Sequence, residues 1–589
     1  MGAGQSSAKC FWIAARALRD LHDQFNDVVK RASERPGFPV PDPTTSTVLE
    51  DPPVPQIAYA QMALPSNRAD VVIIGSGITA AAIAHSILNE CDLRGRRLRV
   101  AVFESRSICG GATGRSGGHM KSSPHELFAT LRKTHSIERA LQITKFQLAH
   151  ARLLLDMCRK KNWTMYVETD FLFQTADFYL TDEDRDEAFE KVVQIRKYIP
   201  DLKIEMWEAF DAQKYFNVNE HVKGAISYFA AVIDPYRFVI CVWNELLHRF
   251  KYFLYLQTNS SVLSVRETQN SEYAYEVVTS NGTTLCNHVI HATNAFASEL
   301  VPGLRGKLTG YLSTMTAQRP GQRFPNQRGY RSWSVVHGRK RDHITQQPWT
   351  EGAQGDLLVG GGFSRSDVDL LNSLGVWDDS RVDALPVAHL GGIFPTMFEP
   401  LWGDDAAGGR TKHAWSGIMS VTGDALPFVG WLDPELTGRK PDLTKNIAVK
   451  RGGGVRPGEW VAAGYGGEGM VWAWLCGTAV GIMVAGTQAQ DAMPYPGRPV
   501  GPLARWFPPE LLPTKERLKE AGLENLTNRF FHVFRGGDME AEENTSASAS
   551  MTASAESSSG YDDYEWDPDS ESEPYVLSDD EGPEVKAKL

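Results

Sequence analysis

The chain has 589 residues, too many for one hydrophobic core, so two or three folded units are expected. Its 42% hydrophobic content is that of an ordinary globular protein. The net charge of −11 gathers at one end: residues 538–589 hold 16 acids against two lysines, and setting that −14 aside leaves the remainder near +3, which offers no footing for nucleic acid.

Seven cysteines, at 10, 91, 109, 158, 241, 286 and 476, are scattered without a CxxC pair or histidines at metal-ligand spacing. That argues for a reducing compartment, against structural zinc and for a site without metal. The most apolar run, 470–486, is short for a bilayer, and Arg16 and Arg19 interrupt the apolar patch 10–18 that a signal peptide would need. A cytoplasmic protein is therefore expected. The opening Met-Gly-Ala-Gly-Gln-Ser fits an N-myristoylation pattern with Gly2 and Ser6, and Cys10 offers a place for a second lipid. One acyl chain anchors only marginally, so any membrane association from this source is weak.

Residues 11–33 carry helical periodicity, with Trp12, Ala15, Leu18, Leu21, Phe25 and Val28 near one face, and read as a surface or membrane-apposed helix. The proline-rich segment 36–55 reads as an extended strap. The stretch 70–88 organises the rest of the chain. Asp70-Val-Val-Ile-Ile reads as a buried parallel strand and the Ala- and Ile-rich residues after it as a helix. Between them lies Gly75-x-Gly77-x-x-Ala80. Gly75 makes the tight turn, Gly77 lets the backbone approach a pyrophosphate, and Ala80 lets helix and strand pack closely. Ile78 and Thr79 open the helix, whose free N–H groups and dipole face the phosphates. A second strand, 98–104, ends in Glu104, followed by Ser105, where this fingerprint wants a carboxylate for a ribose.

Residues 109–119 read Cys-Gly-Gly-Ala-Thr-Gly-Arg-Ser-Gly-Gly-His, too glycine-rich for helix or strand but suited to wrapping backbone around a phosphate or a ring. The wrapping candidates are Gly111, Thr113, Gly114, Arg115, Ser116, Gly117 and Gly118. This loop resembles the flavin-wrapping loop of the D-amino acid oxidase (DAO) superfamily of FAD-dependent amine oxidoreductases, most closely its glutamylputrescine-oxidase-like branch and fungal members.

Farther along, 123–161 reads as a long amphipathic helix interrupted near Thr134, and 163–174 as a strand. Residues 181–199 read as a charged helix capped by Thr181 and ended by Pro200. Asp234 as N-cap with Pro235 at the first helical position starts another helix, and Arg237 in its first turn reads as solvated. Strands are expected at 253–256, 262–265, 273–279 and, after the Asn281-Gly282 turn, 285–291. The resemblance puts adenine against Val262 and the flavin beside the turn at Thr293-Asn294. Segments 308–318, 333–337, 357–360 and 413–420 read as strands of a sheet over the flavin, with a bulge or close approach at Gly360–Gly362. Residues 422–430 resemble the family's T-x-D-x-x-P-x-x-G segment. Trp460 to Met470 form a strand and a glycine turn before the apolar helix, whose N-terminus is aimed at the flavin pyrimidine. Gly466, Gly467, Gly469 and Met470 are the contacts implied there, and Glu468 stands where the family usually has His. Residues 503–508 resemble the family's last ordered stretch. From Asp538 the Ser/Glu/Asp-rich tail reads as disordered, with an acidic kinase site at Ser578.

The resemblance implies an α/β chain: a Rossmann-like, glutathione-reductase-type FAD domain with an inserted antiparallel α+β substrate domain. Residues 1–66 would be an N-terminal helix and strap. Residues 67–125, 231–300 and 421–510 would form the FAD domain, and 126–230 and 301–420 the substrate domain. Residues 511–537 would extend the C-terminus and 538–589 form the disordered tail. The activity implied is oxidation of a primary or secondary amine, amino acids included, by hydride transfer to flavin N5, with O2 as acceptor. The FAD would be noncovalent, because Ile418-Met419-Ser420 stands where tethered relatives carry a cysteine. Leu358 aligns with a lysine that sarcosine-oxidase-type relatives use to activate oxygen. A dehydrogenase with another electron acceptor and a non-catalytic flavin-fold interaction protein therefore stay open. In the reacting site Arg115 would stabilise cofactor charge, His119 would take an amine proton near pH 7, and Trp415 would wall the substrate space.

Overall fold

The computed structural model describes residues 2–46, 55–167, 173–325, 331–338, 340–347, 355–362, 373–443, 455–490 and 495–525; the acidic tail and Ser578 lie outside them. In chain order the strands are Val71–Ile74 (β1), Val100–Phe103 (β2), His119–Met120 (β3), Phe173–Tyr179 (β4), Ile204–Glu208 (β5), Gly224–Val232 (β6), Leu254–Gln257 (β7), Val262–Glu267 (β8) and Tyr275–Thr279 (β9). They continue as Gly282–Cys286 (β10), His288–His291 (β11), Leu308–Gln318 (β12), Arg331–His337 (β13), Lys340–Gln346 (β14), Leu357–Gly361 (β15), Thr411–Thr422 (β16), Phe428–Trp431 (β17) and Gly458–Ala463 (β18).

One sheet runs β17-β18-β11-β1-β2-β7 and is parallel except at β17. Every residue of β1, β2 and β11 is buried, as apolar strands covered on both faces must be. The helices Ile78–Asp92 and Ala473–Ala485 cross closely: a Cβ on Gly477 would meet the Thr79 carbonyl at 2.6 Å, and Ser86 Oγ donates to Thr478 O at 3.0 Å. A small antiparallel sheet runs β10-β9-β8. The largest sheet runs β16-β12-β15-β14-β13-β4-β6-β3 with β5 on β6, antiparallel apart from the β13–β4 pair. The fold is thus mixed α/β, a Rossmann-like parallel sheet joined to a mostly antiparallel one. Among the described residues no helix is long and apolar enough to cross a membrane.

Several elements differ from the sequence reading for physical reasons. The interrupted helix is Pro124–Leu131 and Ile137–Lys160, the second capped by Ser136, whose Oγ accepts from Arg139 N. The strand expected over 163–174 begins only at Phe173; residues 163–167 are turn, and 168–172 lie outside the described residues. The strand expected over 285–291 is two strands, because the chain leaves β10, paired antiparallel with β9, and joins the parallel sheet as β11. Strands β5, β6 and β14 and the helix Ala384–Phe398 carried no reading at all. The last turns of the N-terminal helix, Gly2–Ser33, are docked, with Val28 and Ala32 buried, while Trp12 is 72% exposed.

Candidate functional site

A cavity of about 350 Å³ lies between the two large sheets. Its parallel-sheet wall begins at Gly75, whose φ of +103° and 2.8 Å Cβ approach to the Ala292 carbonyl leave room only for glycine. A Cβ on Gly77 would stand 2.7 Å from Thr113 Oγ1, and that hydroxyl accepts from Ile78 N at the helix start. Glu104 Oε2 accepts from Ser76 N at 3.0 Å and Ser76 Oγ at 2.7 Å, and its Oε1 accepts from Arg106 N at 2.9 Å. The carboxylate at the end of β2 is thereby fixed facing the cavity. Asn294 Oδ1 accepts from Ser420 Oγ at 2.6 Å and Gly464 N at 3.1 Å, tying the turn after β11 to β16 and to the glycine turn after β18.

The loop after β2 is locked by ion pairs and hydrogen bonds at the cavity's edge. Arg106 forks onto Asp379 at 3.0 and 2.8 Å. Arg115 donates to Ser416 O at 2.7 Å and Gly110 O at 3.2 Å, and lies 3.7 Å from Asp379. Burial lowers the Arg115 guanidinium to about 10, with Asp379 opposing, so it stays charged. The N-terminal strap completes the lock: Thr44 Oγ1 accepts from Ser416 N at 2.9 Å, Ser46 Oγ donates to Gly114 O at 2.6 Å, and Gly37, Phe38 and Pro39 line the cavity. Cys109 also lines it, with its thiol held protonated by burial and by nearby Glu104.

The opposite wall is lined from β3 and the residues after it and from β12, β13, β14 and β16, its charged groups coming from the β3 exit and β14. Lys121 Nζ pairs with Asp177 and donates to Ser334 Oγ at 2.5 Å; Tyr228 OH donates to the other Asp177 oxygen at 2.8 Å. Arg341 donates to Ser123 Oγ at 2.6 Å. Burial pushes the Lys121 ammonium down to about 8 against the pull of Asp177. Burial would raise the Asp177 carboxyl, but Lys121 and Arg341 hold it well below the carboxylate range. Glu468 accepts from Gln147 Nε2 at 2.7 Å, and burial raises its carboxyl despite that bond. His119 Nε2 lies 2.8 Å from Ser332 Oγ, which bonds Thr175 Oγ1 at 3.0 Å, which in turn bonds Ser332 O. A carbonyl can only accept, so each hydroxyl donates onward and His119 Nε2 carries the proton, leaving Nδ1 as acceptor.

Of the residues singled out in the sequence, the fold gathers Gly75, Gly77, Ile78, Thr79, Glu104, Ser105, Gly111, Thr113, Arg115, Ser116, Gly117, His119, Val262, Thr293, Asn294, Gly467, Gly469 and Met470 around this one cavity. Ala80, Gly114, Gly118 and Gly466 are not on its wall. Ala80 is buried in the helix packing, Gly114 faces the strap, and a Cβ on Gly118 would collide with the Ile233 carbonyl. Gly466 donates its N–H to Ser420 O at 2.9 Å. Trp415 is corrected outright: it is buried behind the loop, its Nε1 donating to Arg115 O at 2.9 Å, and walls no substrate space. His119 lies on the cavity wall, and burial, then Lys121 and His343, push its ring well below the ordinary imidazole value, which works against the expected proton-accepting role near pH 7. Sequence reasoning missed Arg341, His343, Ser334 and Asp379. Only the alternation within 340–346 could have pointed to the first two.

A parallel sheet with a glycine-cradled helix start, capped by an antiparallel sheet, defines a dinucleotide-binding fold. Residues 70–481 match the FAD dependent oxidoreductase (DAO) family model, and the chain belongs to that family. It is an FAD-dependent enzyme. The fold is similar to glycine oxidase from Bacillus cereus ATCC 14579 (14% identity, 71% of this chain and 96% of that chain covered, TM-score 0.50). It is also similar to L-amino acid deaminase from Proteus vulgaris lacking its specific insertion (16% identity, 74% and 95% covered, TM-score 0.50) and to L-amino acid deaminase from Proteus myxofaciens in complex with anthranilate (15% identity, 73% and 92% covered, TM-score 0.50). A search of the curated proteins finds no match. The residues fit FAD: the bare backbone of Gly75–Thr79 lines the cavity at the N-terminus of the Ile78–Asp92 helix, the place for a pyrophosphate, and Glu104 faces the cavity as a ribose acceptor.

Proposed function

We propose that the protein oxidises an amino acid or a related amine bearing a carboxylate, with noncovalent FAD and dioxygen as acceptor. The observation that carries this reading is the pair of cations, Arg341 and Lys121, on the cavity wall opposite the nucleotide cradle. Arg341 offers a fork suited to a carboxylate, and its stem is fixed on β14 beside Ser123. Lys121 and Arg341 share the one Asp177 carboxylate, Arg341 at 3.9 Å, so the three groups together keep one positive charge for an anionic substrate group. The neighbours named as a glycine oxidase and L-amino acid deaminases support the same substrate class. Bound FAD supplies the two-electron acceptor for the hydride leaving the carbon beside nitrogen. Residues 75–79, 104–105, 111–113, 115–117, 262, 293–294, 467 and 469–470 hold the cofactor in this reading, and Arg115 keeps its loop closed. His119 Nδ1 accepts an N–H from the substrate and orients it without keeping the proton. Glu468, raised by burial, is the group able to exchange a proton.

No thiol stands at 418–420, and Cys109 is held protonated, which supports noncovalent attachment. A dehydrogenase is the second reading, because buried Leu358 occupies the position aligned with the oxygen-activating lysine. Anaerobic mixing of the yellow holoenzyme with a panel of amino acids and of the matching decarboxylated amines tests the first claim. Bleaching by amino acids alone is expected, and bleaching by the decarboxylated amines at equal rates would overturn the carboxylate reading. Oxygen uptake by the same mixtures decides the acceptor.

A further inference from the structure

On β14, Arg341 and His343 line the cavity, so Asp342 between them faces the other side of the sheet, where the helix Ala384–Phe398 packs. There its Oδ2 meets Nε2 of His389 at 2.6 Å and Nε2 of His337 at 3.2 Å, while Oδ1 accepts from Gly362 N at 2.7 Å. One ligand atom from each of the three side chains lies within 4.8 Å of the others. The two imidazoles stand 5.7 Å apart, centre to centre, tilted by 61°.

Asp342 is 3% exposed, and among the described residues it has no Lys or Arg ion-pair partner. A buried carboxylate with no permanent cation beside it is costly, and such groups are paired or bind a cation. We propose that His337, Asp342 and His389 form a binding site for a divalent transition metal of the zinc class, with water as the fourth ligand. Two imidazole nitrogens and one carboxylate oxygen are the donors zinc prefers, in a set that leaves one position open. The Gly362 N–H orients the second carboxylate oxygen, the outer support that metal-ligating carboxylates have. At present two Nε2–H groups share one oxygen; a cation replaces those protons and spreads the three atoms to the roughly 3.3 Å separations that bonds of about 2 Å impose in a tetrahedron. The partial exposure of His337 (27%) and His389 (19%) gives the ion and its water a way in.

The expectation of no metal rested on spacing, and spacing misses this set because 5 and 47 residues separate its members. The ion would clamp the helix to the β13–β14 hairpin. It would thereby hold the strand that carries Arg341 and His343, without touching the cavity. This inference is independent of the substrate reading.

The test uses the full-length holoenzyme stripped of metal with chelator and titrated with Zn²⁺ alone by calorimetry, with bound metal counted by mass spectrometry after gel filtration. One ion per chain is expected, together with a rise in melting temperature. His389→Gln and His337→Gln should each weaken Zn²⁺ binding at least tenfold, and the double variant should lose the melting shift while keeping the flavin spectrum. Failure to bind a stoichiometric ion, or equal affinity in the double variant, overturns the proposal.

Discussion

On the parallel-sheet wall of the cavity the working parts are mostly backbone: the Gly75–Thr79 turn, the 109–117 loop and the 464–467 turn, with Glu104 fixed at the end of β2. On the antiparallel-sheet wall they are side chains from three segments far apart in sequence: His119 and Lys121, Arg341, and Glu468. Backbone cradles bind what every family member shares, a pyrophosphate and a ring, and at Gly75, Gly77 and Gly467 a Cβ would stand under 3 Å from a neighbour. Side-chain walls bind what differs between members, and a changed residue there alters affinity without emptying the cavity. The two walls should therefore respond to mutation in different currencies, flavin content on one and substrate affinity on the other.

The largest effect belongs to the backbone wall. Gly77→Val places atoms where even a Cβ stands 2.7 Å from Thr113 Oγ1 and across the path of the pyrophosphate. Purified Gly77→Val is expected to be colourless, with flavin below about a tenth of wild type, a loss of roughly tenfold or more per 1.4 kcal/mol. A full flavin spectrum would show that the two walls are not divided as described.

Arg341→Met should act on the other wall alone. Flavin content stays at the wild-type level, while KM for an amino acid rises about 100-fold, the scale of losing one partner of a buried charged hydrogen bond. The decarboxylated amine should be unaffected. A parallel loss of flavin would place Arg341 with the cofactor instead.

Lys121 sharpens the comparison through pH. Its ammonium, lowered to about 8 by burial, is charged at pH 7 and mostly neutral at pH 9. The chamber then loses a positive charge beside Asp177, so affinity for a carboxylate substrate falls as pH rises through about 8. The expected change is roughly tenfold. In Lys121→Met the dependence disappears and the weaker affinity holds throughout. Steady-state KM from pH 6.5 to about 9.5, with a substrate whose own ionisation is measured separately, reads this directly.

The contrast between the walls also explains what could be read from the sequence. The parallel-sheet wall is assembled from contiguous stretches in which glycine positions are dictated by turns and close approach, so Gly75, Gly77 and Thr113 announce themselves. The antiparallel wall depends on tertiary register: Arg341 meets Lys121 only because β13 and β14 pair as a hairpin and β4 lies beside β13. Nothing local marks Arg341 as different from Arg331 or Arg323. Trp415 was misplaced for the same reason, since its strand faces both the cavity and the packed loop, and one residue of alternation decides which. The split of 285–291 into β10 and β11 was equally hidden, because both halves are apolar and β-branched enough to serve either sheet.

The smallest expected effect concerns His119, and it turns on which nitrogen is protonated. The Thr175 hydroxyl must donate to the Ser332 carbonyl, so Ser332 Oγ donates to Thr175 and His119 Nε2–H donates to Ser332. Protonating Nδ1 would put a second charge beside Lys121 in a buried site, which is why burial first and Lys121 next keep the ring neutral. A ring of that kind gives the substrate one hydrogen bond and takes no proton from it. His119→Ala should therefore slow anaerobic flavin reduction only about fivefold, the scale of one neutral hydrogen bond near 1 kcal/mol. The pH profile of the variant between roughly 6 and 8, where an unperturbed imidazole titrates, should keep the wild-type shape. An inflection in that range that is present in the wild type and absent from His119→Ala would mean the imidazole titrates during turnover, and the proton would then have to be assigned to His119 rather than to Glu468.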